Sequence, residues 1–234
     1  MSSSAILYSD KKAAYFGNPR TDIEALLPDK TSRVLEIGCG AGATMRWLRS
    51  VRQIEHAAGI ELVPAVAGEA ASAFDDMLVG DVEAMVLTLP PQSFDLIIAL
   101  DVLEHLVDPW KIVRLCTDIL KPRGIIIASI PNVAHYSIAL PLILRGRWTY
   151  QNDGLLDRTH LRFFEARTAV ELMTSSGCVV EQIERVRILP RFLSCIPDRF
   201  GGRRLRWYAQ KVLNRLPPLH LIDFRYLIRV RNPG

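Results

Sequence analysis

The sequence predicts an α/β fold: an open sheet of seven mostly parallel strands with helices on both faces. Three observations carry this reading. Apolar runs of strand length alternate with helical stretches along most of the chain. The runs Phe94-Asp95-Leu96-Ile97-Ile98-Ala99-Leu100 and Ile125-Ile126-Ile127-Ala128-Ser129-Ile130 lack polar alternation, as parallel strands covered on both faces do. The first strand breaks into Gly38-Cys39-Gly40-Ala41-Gly42 ahead of a helix, which places a pocket at the carboxyl end of a parallel strand.

Residues 23–27 read as a short amphipathic helix closed by Pro28-Asp29-Lys30. Strand 33–37 leads through the glycine turn into a helix over 43–50. Strand 57–61 precedes an alanine-rich helix over 64–74, with Pro64 tolerated in its first turn. A third strand, 77–80, is followed by Asp81, and a fourth, 94–100, by Asp101. A helix over 110–120 and a turn at Lys121-Pro122-Arg123-Gly124 lead to the fifth strand, 125–130. Thr168 with Glu171 three residues on gives a capping-box pattern for a helix that Gly177 ends. Strands 178–186 and 224–230 complete the sheet. The organisation expected is an N-terminal cover, 1–30; a core, 31–188, with a substrate-facing segment at 131–164; a basic helical insertion, 189–221; and a last strand with its tail, 222–234.

A chain of 234 residues accommodates one sizeable core, and 49% apolar with 23% charged residues is ordinary for a globular protein. No apolar run reaches the length of a membrane span. Met1-Ser2-Ser3-Ser4 lacks the basic and apolar regions of a signal peptide, so a cytoplasmic location is expected. Cys39, Cys116, Cys178 and Cys195 lack close metal-ligand spacing and read as free thiols. No metal site is expected, and Cys39 reads as a small buried filler.

The glycine turn has two readings. A dinucleotide site wants glycines at relative positions one, three and six, whereas Gly38, Gly40 and Gly42 fall at one, three and five, with Ala43 at six. Glu36, two residues before the first glycine, would repel a pyrophosphate but hold an ammonium group. Glu61 ends the second strand, where a carboxylate can accept the hydroxyls of a ribose. A dehydrogenase would use Glu61 but leaves Glu36 and Asp81 without a role.

The turn Glu36-Ile37-Gly38-Cys39-Gly40-Ala41-Gly42 resembles the S-adenosylmethionine loop of class I methyltransferases, whose sheet is Rossmann-like. The resemblance implies S-adenosylmethionine as cofactor, with Gly38, Cys39, Gly40 and Gly42 around its methionine moiety and Glu36 near its amino group. It implies Glu61, with neighbouring Leu62, at the ribose, and Asp81 at the adenine amino group with Val82 beneath the ring. Asp101 and Val102, in the run Asp101-Val102-Leu103-Glu104-His105-Leu106, become candidates on the cofactor side. Glu104 reads as a surface or capping residue.

Methyl transfer to a hydroxyl or amine requires removal of a proton, and imidazole is the natural base near neutral pH. Three candidates qualify by position: His105, His135 just after the fifth strand, and His160, with Asp157 as its orienter. Some members of the family use no dedicated base. The runs Ser129-Ile130-Pro131-Asn132-Val133-Ala134-His135, Gly146-Arg147-Trp148-Thr149-Tyr150 and Gly154-Leu155-Leu156-Asp157-Arg158-Thr159-His160-Leu161 resemble a subgroup found in bacterial O-antigen and surface-polysaccharide clusters. Tyr15-Phe16-Gly17-Asn18-Pro19-Arg20 fits the same subgroup. That resemblance implies a sugar, nucleotide-sugar or lipid-linked glycan as acceptor. Arg20, Arg147, Arg158 and Arg162 are suited to phosphate or carboxylate, and Trp148 and Tyr150 to a sugar face, with Tyr15 in the cover. Similar cores methylate quinone precursors and other small metabolites, and a catalytically inactive cofactor-binding protein is a further alternative.

The formal charge of +4 is unevenly placed. From Arg185 to Arg231 arginines and Lys211 greatly outnumber Asp198 and Asp223, the only acids there. Within 189–221, Leu205, Tyr208, Val212 and Leu216 recur at helical spacing among Arg203, Arg204, Arg206, Lys211 and Arg215. Such a helix can close over its own domain, join a homodimer or lie on an anionic membrane at the inner face. Nucleic acid is disfavoured as a partner, since these positives lie away from the inferred cleft and no base-handling motif follows the fourth strand.

Overall fold

The computed structural model describes residues 16–188, 202–215 and 220–234. Seven strands form one sheet: β1 (Arg33–Ile37), β2 (His56–Glu61), β3 (Asp76–Val79), β4 (Phe94–Leu100), β5 (Leu120–Pro131), β6 (Val179–Val186) and β7 (Arg225–Arg231). Their order is β3-β2-β1-β4-β5-β7-β6, parallel except for β7, which runs antiparallel to both neighbours. The chain winds outward from β1 to β3, then returns to place β4 on the other side of β1. That reversal leaves a crevice beyond the carboxyl ends of β1 and β4, where open sheets bind ligands.

Successive residues of the central strands divide between two cores. Leu35, Ile37, Ile97 and Ile126 pack on one face with α4 (Pro109–Ile119) and α6 (Ala166–Thr174). Val34, Leu96, Ile98, Ile125 and Ile127 pack on the other with α1 (Ala43–Val51) and with Ile23 and Leu26 of a 3-10 helix, Thr21–Leu26. Side chains alternate across a strand, yet both faces are covered, so the strand sequences show no polar alternation. Between these elements lie α2 (Pro64–Ala70) and α3 (Val82–Met85).

Several predicted boundaries shift for local reasons. The helix expected over 64–74 ends at Ala70 and tightens into a 3-10 turn, Ala71–Ala73, which delivers Phe74 against Gly59. The turn expected at 121–124 is a bulge within β5, where pairing steps from Phe94–Leu120 to Leu96–Ile125 and Arg123 takes a φ of +67°. The capping box of α6 is not Thr168 with Glu171. Glu165 accepts the Arg167 and Thr168 amides, while the Thr168 hydroxyl accepts the Glu165 amide; Glu171 instead pairs with Arg167 at 2.7 Å.

The segment after β5 carries α5 (Tyr136–Arg145) and a small core of its own, in which Ile138, Leu155 and Leu156 meet Trp148, Phe163 and Phe224. Some of the C-terminal positives are paired within the fold. Arg229 and Arg231 pair with Glu181, Arg225 with Asp22, and Arg187 with Asp223. These four neutralise carboxylates of the fold. The predicted basic helix exists as α7 (Gly202–Arg215), but Trp207, Tyr208 and Val212 are exposed, so this part of its apolar stripe does not close over the domain. A contact of α7 with the core is the Gln210 amide donating to the Arg187 carbonyl at 2.9 Å. Cys195 and most of the linker between β6 and α7 lie outside the described residues, as does Tyr15. Among the described residues no helix is long and apolar enough to cross a membrane.

Asp223 is fully buried, with Oδ1 2.6 Å from Arg187 Nε, and its carbonyl accepts the side-chain amide of Asn132 at the end of β5. Removing one member of a buried pair strands the other. Asp223→Ala should therefore lower the unfolding free energy by about 3–5 kcal/mol, read by urea denaturation. A loss below about 1 kcal/mol, as for an exposed pair, would refute this role.

Candidate cofactor and acceptor site

The turn after β1 takes a backbone course that side chains resist. Gly38, Gly40 and Gly42 have φ of +64°, +52° and +76°. A Cβ on Gly38 would lie 2.5 Å from Val102 Cγ2, and one on Gly40 would lie 2.7 Å from the Phe16 carbonyl oxygen. The Ala41 amide donates to that same oxygen at 2.9 Å, so the N-terminal segment is strapped across the turn. Gly42 supplies the left-handed N-cap of α1. The result is a cavity of about 460 Å³ lined by Glu36, the glycine turn, Glu61, Leu62, Asp81, Val82, Asp101 and Val102. Every cofactor-side residue singled out in the sequence except Gly42 faces this one cavity; Gly42 shapes it from behind.

The acids around it are held in different ways. Glu36 is buried, and its Oε2 has no hydrogen-bond partner among the described residues. Burial raises its pKa to about 8, with the Glu61 charge adding to the rise and the Thr44 hydroxyl and Arg46 opposing it. Glu61 is also raised by burial, but the Gly40 and Val63 amides each donate to one of its oxygens at 2.9 Å. A carboxylate has about four acceptor positions, so capacity remains for ribose hydroxyls. Asp81 caps α3 by accepting the Glu83 amide on Oδ1, and its exposed side chain borders the cavity. Cys39 is a buried thiol pushed up by burial and by the Glu36 and Glu61 charges, which makes it a filler and no nucleophile.

These features fit S-adenosylmethionine. A buried carboxylate oxygen without a partner suits an ammonium, and a second acid with spare acceptor capacity suits a ribose.

Asp101 has another task. It adopts a φ of +56° and accepts Arg20 Nη1 and the Ser129 hydroxyl, each at 2.5 Å, with Arg225 at 3.4 Å. Arg20 also pairs with Asp22. Burial favours the neutral Asp22 acid, yet Arg20 and Arg225 outweigh it and hold that carboxyl below the usual range. Arg20 borders the cavity but is committed to these partners, so the expectation that it grips an acceptor phosphate is corrected.

The three histidines separate. His135 is buried, caps α5 by accepting the Ser137 amide, and packs on Tyr136 and Phe224. Burial lowers its pKa to about 4 against the Asp223 charge, and it lines neither cleft. The structure thus overturns His135 as a base. His105 lines the cofactor cavity, and His160 lines a second cleft formed with Trp148, Thr149, Tyr150, Arg158 and Leu161. Their rings meet edge to face at 4.7 Å, and Leu161 borders both spaces. Asp157 Oδ1 holds the Thr159 amide and hydroxyl, while His160 Nδ1 meets the Leu155 carbonyl at 3.2 Å. Arg147 is exposed and lines neither cleft. Arg162 clasps the Val107 carbonyl and lies over Trp110, so it fastens the loop.

Glu104 is neither a surface nor a capping residue: it is 1% exposed, beside His105 and His160. Sequence reasoning also passed over Thr44 and Arg225 in the cavity wall. Thr44, in the first helical turn after the glycines, had a positional signal. Arg225 had none, because β7 reaches the cavity only through antiparallel pairing with β5.

Glu36 gives a ligand-free test. Its folded pKa lies near 8 against an ordinary 4.5, so between those values the native protein keeps a proton that the unfolded chain has released. Stability should fall as pH rises through this window and level off above it. Glu36→Gln removes that slope, so its stability relative to wild type should grow from pH 5 to pH 8 by on the order of a few kcal/mol. Parallel stability curves would disprove the shift. Gly40→Ala should lose about 1–2 kcal/mol from the left-handed backbone alone, with added loss from the Phe16 contact, measured by thermal unfolding.

The comparisons agree with this geometry. The methyltransferase domain family matches residues 12–183. A ubiquinone biosynthesis O-methyltransferase of Xanthomonas campestris is 33% identical over 161 residues, covering 64% of this chain and 67% of the relative. One of the same name from Xylella fastidiosa is 35% identical over 107 residues, 43% of this chain and 42% of the relative. Among solved structures, a SAM-dependent methyltransferase of Archaeoglobus fulgidus superposes with a TM-score of 0.61 at 18% identity, covering 91% of each chain. Phosphoethanolamine N-methyltransferase 2 of Haemonchus contortus, bound to S-adenosyl-L-methionine, gives 0.58 at 16%, covering 99% of this chain and 56% of that one. At such identities the structural likeness is one of fold. With the family matched over most of its length, the chain belongs to the methyltransferase domain family and is an S-adenosylmethionine-dependent methyltransferase.

Proposed function

We propose that the acceptor is a small oxygenated ring, a phenol of the quinone-precursor kind, methylated on a hydroxyl oxygen. The observation that carries this is the second cleft, in which Trp148, Tyr150, Arg158 and His160 gather beside the donor cavity and share Leu161 with it. Two aromatic walls suit a flat ring, and Arg158 suits an anionic substituent. The names of the relatives from Xanthomonas and Xylella support the same class. A sugar face would also stack on Trp148 and Tyr150, which keeps a sugar hydroxyl as the second reading. A role in surface polysaccharides gains no support from the relatives named above.

S-adenosylmethionine, when bound, supplies a methyl group on a positively charged sulfur. Glu36 would hold the donor's ammonium, Glu61 its ribose, and Asp81 with Val82 its adenine. Leu106, Val107 and Leu161 close the cavity wall and exclude water. The acceptor hydroxyl enters from the second cleft and gives up its proton at the junction, where His105 and His160 lie. Trp148 and Arg158 orient the ring and do not touch the donor.

Incubation with isotopically labelled S-adenosylmethionine and pools of phenolic quinone precursors and of sugar nucleotides, read by mass spectrometry, tests this. A singly methylated phenol is expected. Transfer to sugar nucleotides alone would move the acceptor to the second reading. In the variants, Asp81→Ala should weaken S-adenosylmethionine binding about tenfold, the scale of one charge-assisted hydrogen bond, without unfolding the protein. Trp148→Ala and Arg158→Ala should raise the acceptor KM at unchanged donor affinity, and His135→Ala should leave turnover intact.

A further inference from the structure

The helix α7 meets the rest of the chain with its polar side. Arg206, Ala209 and Gln210, three and four residues apart and so on one face, are its half-buried positions, and the Gln210 amide donates to the Arg187 carbonyl at 2.9 Å. Trp207, Tyr208 and Val212 point the other way, with exposures of 58%, 65% and 57%. A surface helix ordinarily buries its apolar stripe and leaves its polar one in water. Among its described side chains α7 does the reverse, so its outer face is built for contact with something other than its own domain.

The charge on the helix identifies what that is. Its sequence carries Arg203, Arg204, Arg206, Lys211 and Arg215 and no acid. Arg203 and Lys211 are exposed and share the row 203, 207, 211 with Trp207. Lys211 Nζ lies 4.8 Å from the centre of the Trp207 ring, and Trp207 meets Tyr208 edge to face at 5.3 Å. We propose that α7 docks this methyltransferase onto an anionic phospholipid bilayer, lying flat at the level of the headgroups. Trp207, Tyr208 and Val212 enter the boundary between headgroups and acyl chains, while Arg203 and Lys211 pair with lipid phosphates.

Other covers fit less well. A second copy brought face to face would set the same basic residues against one another, with no acid on the helix to offset them. Single-stranded nucleic acid stacks its bases on open aromatic faces, whereas Lys211 already occupies a face of Trp207. At 14 residues the helix is too short to cross a bilayer, so it lies on one. Docking of this kind depends on ionic strength and is independent of which acceptor is methylated.

The test reads binding alone. Full-length protein is mixed with vesicles of phosphatidylglycerol and phosphatidylcholine in equal parts, or of phosphatidylcholine alone, and the bound fraction is measured by flotation. Binding should be about tenfold stronger to the anionic vesicles. It should fall as salt rises from about 0.1 M to about 1 M, where the screening length shrinks from about 10 Å to about 3 Å. A basic residue near an anionic surface contributes about fivefold, so Lys211→Glu should weaken binding about tenfold or more. Lys111→Glu, the same charge change at an exposed position of α4, should leave it unchanged. The double variant Trp207→Ser, Tyr208→Ser should weaken it as Lys211→Glu does. Brominated acyl chains should quench the tryptophan emission of the wild-type chain, and the quenching should be lost in Trp207→Phe.

Absence of binding to anionic vesicles would overturn the proposal, as would binding that survives the Lys211 and aromatic variants. Two further results would reassign the surface and overturn it equally. One is a dimer in sedimentation that the aromatic variant abolishes; the other is tighter binding to single-stranded RNA than to vesicles, lost in Lys211→Glu.

Discussion

Negative charge gathered in a dry crevice is the constraint on which this molecule is organised. Glu36, Glu61, Asp101 and Glu104 all lie at the carboxyl ends of β1, β2 and β4, at half-buried or buried positions. Ionised carboxylates this close repel one another strongly in a medium of low polarity. The fold relieves two of the four internally. Amides of the glycine turn and the β2 terminus bond Glu61, and Arg20 with Arg225 neutralises Asp101. Glu36 has only the Thr44 hydroxyl and the more distant Arg46 charge, Glu104 has no hydrogen-bond partner on either oxygen among the described residues, and burial pushes both acids up. Glu36 thus presents an oxygen without a hydrogen-bond partner at the donor cavity, and Glu104 lies buried behind it beside His105.

The relief of Asp101 also explains how remote parts of the chain are joined. Arg20 comes from the N-terminal segment, Ser129 from β5 and Arg225 from β7, and all three converge on the residue after β4. The Phe16 carbonyl, four residues before Arg20, closes over Gly40. The antiparallel β7, a departure from the parallel winding of the rest, is therefore part of the site, because its first residue supplies a counter-charge to the crevice.

How much was legible in the sequence follows from the range of the forces involved. Strands β1 and β4 could be read to the residue because each is a short, mostly apolar run ended by local punctuation. The glycine turn and the acids after β1, β2 and β3 were legible because backbone geometry fixes them within a few residues of a strand end. His135 was misread: it lies at the right distance after β5, but its ring turned inward to cap α5. Glu104 looked like a surface acid because the residues that bury it arrive from beyond residue 155, through contacts that no local pattern announces. Arg20 and Arg147 looked alike as loop arginines. One found two carboxylates and the other stayed in solvent, a difference set by tertiary placement alone.

The segment between β5 and α6 is tied to the β4 terminus and has a core of its own. The Glu104 carbonyl accepts the amides of Leu161 and Arg162, and His105 holds the Thr159 carbonyl. These bonds fasten the base of the segment between β5 and α6 to the β4 terminus, while Trp148, Tyr150 and Arg158 stand on the part beyond that anchorage. Ile138, Leu155 and Leu156 give that part a core separate from the two main ones. Trp148 therefore packs in a core separate from the two that hold the sheet. On the proposed reading the arrangement of Trp148, Tyr150 and Arg158 selects what receives the methyl group, and the bonds from Leu161, Arg162 and His105 hold that segment beside the donor cavity.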